Sequence, residues 1–119
     1  MSGTANETHK KECVYYLKAT NESLHTHIFL KGIMDPIKTL IDSGSSQNFI
    51  DTTFTCTHKL PLVELQAPQR VIAIDGKEVR ERVCFRCTLE FEIQGRILWA
   101  CFYAMPLGDI PAILGLEWL

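Results

Sequence analysis

The sequence has no block of basic residues. Lys and Arg number 12 against 14 Asp and Glu, for a formal net charge of −2. Nucleic-acid binding needs a concentrated positive face, so no nucleic-acid partner is expected. No apolar run approaches the roughly 20 residues that span a bilayer, so no membrane partner is expected. The opening MSGTANETHKKE lacks the charged and apolar regions of a secretory leader. It also puts glycine third, one place late for myristoylation. Cysteine is present but odd in number, five in all. Free thiols in the reducing cytoplasm are therefore expected rather than a disulfide framework. No cysteine or histidine cluster has convincing metal spacing. Cys84 and Cys87 fall in a run where Val83, Phe85, Cys87, Leu89, Phe91 and Ile93 alternate with polar residues. Their odd separation points the two sulfurs to opposite faces of a strand. His25 and His27 share a strand face, but without a third ligand they read as surface or cross-strand residues. No metal and no organic cofactor is expected.

What is present is a chain of short strands. With 119 residues and 46% hydrophobic content, it suits one domain with one core. Residues 1–12 read as a flexible arm and residues 13–119 as the domain. VYYLKAT, HTHIFLKG and PIKTLID read as strands, with Asp35-Pro36 turning the chain between the last two. Asp51 is placed to cap a short helix through TTFTCTHKL, which stops before Pro61. RVIAI and KEVRERV flank Asp75-Gly76, a pair suited to the positive φ angles of a hairpin turn. A strand over 83–93, the Gln94-Gly95 turn and RILWACFYAMPL follow. Gly108-Asp109 then leads into PAILGLEWL. The pattern predicts an all-β, closed or sandwiched domain with one short helix. Trp99 and Trp118 are expected in its core, and Glu90 and Glu92 on its solvent face.

The chemistry concentrates at TLIDSGSSQNFI. An apolar strand delivers Asp42 into a tight loop. Leu40 and Ile41 anchor the strand, Ser43 offers a hydroxyl, and Gly44 lets the backbone turn closely. Ser45 continues the loop. Carboxylates hydrolyse a peptide in pairs: one takes a proton from water while the other gives one to the carbonyl. The remaining aspartates, Asp35, Asp51, Asp75 and Asp109, are not followed by Ser/Thr-Gly; Asp51 reads as a helix cap, Asp75 and Asp109 as turn residues. A second catalytic carboxylate must then come from a second copy of the chain, across a two-fold axis.

The Asp42-Ser43-Gly44 loop, followed at a distance by Ile113-Leu114-Gly115, resembles the aspartic proteases of retroviruses and long-terminal-repeat retrotransposons. DSGSSQNFI and LGLEWL are most similar to the Ty3/gypsy type. The resemblance implies a retropepsin-like closed β-barrel half, with one short helix and a flap hairpin. It implies that Asp42 is catalytic, with Ser43, Gly44 and Ser45 shaping the loop and Ile113, Leu114 and Gly115 supporting it. Ile74, Asp75, Gly76 and Lys77 would form the flap tip over an extended peptide. The implied function is a homodimeric endopeptidase that cuts a Gag-Pol polyprotein, inside the cell and within virus-like particles. Two departures stand out. Ser46 and Leu116 replace an Asp and an Arg common in retroviral relatives, and Gly76 is the flap tip's single glycine. They permit an alternative: a host-retained, inactive module that holds a peptide without cutting it.

Overall fold

The computed structural model describes residues 14–17, 24–42, 44–73 and 82–115. In chain order the elements are β1 (Val14–Leu17), β2 (Leu24–Leu30), β3 (Ile37–Ile41), β4 (Asn48–Asp51), α1 (Thr52–Thr57), β5 (Val63–Ala73), β6 (Val83–Ile93), β7 (Arg96–Met105) and β8 (Ala112–Leu114). The expected arm over 1–12 lies outside the described residues.

Six strands close a ring in the order β6-β2-β3-β8-β4-β7, with β7 returning to β6. Closure leaves these strands no long unpaired edge. β6 and β7 form the longest ladder, from Phe85↔Ala104 to Ile93↔Arg96, around the expected Gln94-Gly95 turn. Both turn residues have positive φ, 50° and 82°, the conformation such a tight connection demands. β6 then reaches past the ring to pair with β5, and β5 carries β1 on its other edge.

The expected all-β barrel with one short helix is the observed architecture. Two details differ. β4 is a strand where the sequence reads as loop. β5 starts at Val63, well before the expected RVIAI, and a register shift between Glu64 and Gln69 accommodates Pro68, which cannot donate to a ladder.

The barrel core follows strand parity. Ile28, Leu30, Leu89, Phe91, Phe102 and Leu114 fill its centre, with Phe91 and Phe102 edge to face at 5.8 Å. A second cluster joins Leu40, Phe49, Val71, Val83, Met105 and Ile113. β3 and β8 thus face apolar neighbours on both sides: Ile37, Ala112 and Leu114 point into the first cluster, Leu40 and Ile113 into the second. Burial on both faces explains their near-continuous apolar sequences.

The same parity corrects one expectation. Trp99 is 66% exposed, not buried. Phe102 and Ala104 of β7 point inward, so Trp99 points outward, opposite Glu90. Trp118 lies outside the described residues. Phe85 has inward parity but is partly exposed; it stands at the end of the β6–β7 ladder, where β6 pairs with β5 as well. Glu92 is exposed as expected, and the half-buried Glu90 meets Lys31 at 3.6 Å. His25 and His27 are exposed on β2.

Candidate active site

β3 ends at Ile41, and Asp42 is the next residue. β3 runs parallel to β8, with Leu40↔Ile113 and Ile41↔Leu114. The ladder continues one step further: the Asp42 N–H donates to the Leu114 carbonyl at 2.8 Å. The chain then folds back, and the Ser45 N–H donates to the Asp42 carbonyl at 3.0 Å. Inside this turn the Gly44 N–H donates to Asp42 Oδ1 at 2.9 Å. One side-chain oxygen is therefore fixed by the loop's own backbone.

The other oxygen is different. Oδ2 is buried and has no hydrogen-bond partner among the described residues; the whole residue is 4% exposed. A buried, unpaired carboxylate oxygen carries an uncompensated desolvation penalty.

Gly115 closes the loop from behind. A Cβ there would collide with the Gln47 carbonyl oxygen and lie 2.7 Å from that of Ser45. Both obstacles are backbone atoms, so only glycine fits. The Gly115 N–H donates to Asn48 Oδ1 at 2.9 Å, and Asn48 Nδ2 donates to the Cys101 carbonyl at 3.2 Å. One buried amide thus links the glycine and β7, from a residue that opens β4. Ile113 fixes the same corner by packing with Leu40.

Asp51 serves a related purpose. Its Oδ2 accepts from the Phe54 N–H at 3.1 Å, capping α1 as expected. Its Oδ1 accepts from the Leu107 N–H at 2.8 Å, and its own N–H donates to Pro111. The cap therefore also fastens the segment that leads into β8.

The structure brings together Asp42, Gly44, Ser45, Ile113, Leu114 and Gly115. Ser43 and the flap-tip residues Ile74, Asp75, Gly76 and Lys77 lie outside the described residues. The hairpin's arms, β5 and β6, are antiparallel and lead into that segment. Asn48 and the second role of Asp51 escape sequence reasoning. Their sole trace is a polar residue at each end of the apolar pair in NFID.

Among the described residues no group of three or more His, Cys, Asp or Glu could hold a metal ion. The four described cysteines are free thiols. Cys87 is buried in the core, and that burial, then neighbouring Cys101, pushes its pKa from 9.0 up to about 11.

A family model described as the PEG10/RTL1 protease domain matches residues 38–119. The chain belongs to this family. Three solved structures share its fold. EIAV protease, complexed with the inhibitor HBY-793, is 16% identical with a TM-score of 0.61, covering 83% of this chain and 86% of that one. The retroviral protease-like domain of Ddi1 from Leishmania major is 15% identical with a TM-score of 0.54, covering 80% and 70%. Simian foamy virus (mac) protease is 21% identical with a TM-score of 0.50, covering 79% and 89%. The chain is thus a retropepsin-like protease domain in family and fold.

Proposed function

We propose that this domain is an aspartic endopeptidase of the retrotransposon type, working as a homodimer on an extended segment of a polyprotein. The observation that carries the reading is Asp42: Oδ1 is held by the loop, while Oδ2 is without a partner among the described residues. Two copies related by a two-fold axis would set one Asp42 against the other. Like charges at close range do not both persist, so the pair shares one proton. The ionised carboxyl takes a proton from water, whose oxygen attacks the peptide carbonyl carbon. The protonated carboxyl gives its proton to the carbonyl oxygen. The tetrahedral intermediate then collapses, the C–N bond breaks, and the amine leaves with a proton. Asp42 is almost fully buried in the single chain, so dimer and substrate must meet a loop that has opened around Oδ2.

The peptide would lie extended beneath residues 74–77 and pair as a strand. Free thiols suit a reducing, intracellular setting. Asp42→Asn tests the reading: cleavage of a polyprotein substrate is lost while the fold, followed by circular dichroism, is kept. Cleavage at the unaltered rate contradicts it.

A second reading is a module that binds peptide without cutting. It is favoured by the closed state of Asp42 in one chain and by Ser46 and Leu116 standing where relatives commonly carry an ion pair. Sedimentation separates the two. A dimer with activity peaking on the acid side supports the enzyme; a monomer inert from pH 4 to 7 supports the module.

A further inference from the structure

β1 has one neighbour. Val14–Leu17 pairs in parallel with Arg70–Ala73 of β5, and among the described residues no other element touches it. That stretch of β5 is the last before residue 74, where the hairpin's tip segment begins. It also stands on the Asp42 side of the molecule. Val71 packs in the same apolar cluster as Leu40, two residues before Asp42, and Ile113, which supports the loop. The opposite edge of β5 pairs with β6 from Val63↔Arg86 to Gln69↔Val83. A peptide entering as a strand against the edge of Arg70–Ala73 that faces away from the β6 side meets Val14–Leu17 there.

The geometry points to β1 as a built-in competitor: an intramolecular strand that fills the peptide-pairing edge of the β5–β6 hairpin. This rests on the reading of that hairpin as the cover of an extended peptide. Three features fit the role. The segment has the extended, apolar and aromatic sequence VYYL, which suits strand addition. Six residues separate Leu17 from Leu24, and Leu24 pairs with Ile41 beside Asp42. So short a link holds the segment at a local concentration on the order of millimolar. The hold is also releasable: four residues, a parallel ladder and one neighbour make a weak attachment. A substrate binds only to the fraction of molecules whose edge is vacant, so its apparent affinity falls by that fraction.

The test uses the full chain with Tyr15→Pro and Tyr16→Pro together. In a strand, adjacent N–H groups point to opposite sides, so one of the pair removes a donor aimed at β5. Hydrogen exchange is read at Arg70–Ala73, and at β3 and β8 as a control for folding. The probe is a fluorescent synthetic peptide of residues 12–19 carrying Cys13→Ser. In the unaltered chain, Arg70–Ala73 should be protected independently of protein concentration. In the variant their exchange should accelerate at least ten-fold, with β3 and β8 unchanged. The probe should bind the variant at least ten-fold more tightly than the unaltered chain. Equal exchange or equal probe binding overturns the proposal, and protection that grows with concentration overturns its intramolecular form. All readouts are repeated in Asp42→Asn, where no cleavage is needed. A Tyr15→Pro, Tyr16→Pro chain that keeps Asp42, never cleaves and still shows the gain in binding contradicts the protease reading and leaves this one standing.

Discussion

Asp42 and Gly115 meet across the turn but answer to different physics. Asp42 is held by the hydrogen bonds of its loop, Gly115 by the lack of space for a side chain. Gly115→Ala must push the Ser45–Gln47 backbone aside, which costs at least the roughly 1–3 kcal/mol of a typical overpacked site. Asn48→Ala leaves the Gly115 N–H without its acceptor, a loss of about 1–3 kcal/mol. Denaturant unfolding of both variants should show midpoints well below that of the unaltered chain; an unchanged midpoint in either would remove the corresponding contact from the account. Cys87 gives a pH-dependent signature at the same scale. Its thiol is held protonated by burial, with a pKa of about 11 against 9.0 when free. The folded state then keeps a proton that the unfolded state gives up first. That contribution to stability is whole below about pH 9 and shrinks as pH climbs toward 11. Cys87→Ser should flatten the decline in melting temperature across that range. Alkylation at pH 8 should reach the exposed Cys56 quickly and Cys87 only on unfolding.

Among the elements, β3 and β8 matter most, because their parallel pairing delivers both halves of the loop. Ile113 of β8 is buried with Leu40 and Phe49, whereas Ile97 lies exposed on β7. Ile113→Ala should cost about 2–5 kcal/mol, and Ile97→Ala within about 0.5 kcal/mol. A comparison of unfolding midpoints checks this, and similar losses for the two would mean the core is misplaced. These elements were readable in advance for physical reasons. LIDSG and AILG are apolar runs ending in residues whose conformational or chemical demands are narrow. The Asp51 cap and the Gln94-Gly95 turn carry their own local signals. β4 was not readable: NFID is four residues long, and its ladder depends on partners more than fifty residues away. Nor was the outward direction of Trp99, which is set by register with Glu90. An aromatic residue alone says nothing about which face it occupies.

At the scale of the molecule, one chain closes a barrel, and the proposed chemistry draws one carboxylate, Asp42, from it. The fold needs no second copy to bury its core, but the proposed chemistry does. Dimer formation and uncovering of Asp42 are therefore coupled events in this account, and β1 adds a third, the vacating of the β5 edge. Mixing the unaltered chain with Asp42→Asn at a fixed total concentration, after full exchange of subunits, tests this coupling most directly. If each active unit needs Asp42 from two copies, the cleavage rate falls as the square of the unaltered fraction, to about a quarter in an equal mixture. A rate that falls in simple proportion, to about half, would mean that one chain cuts on its own and would contradict the account.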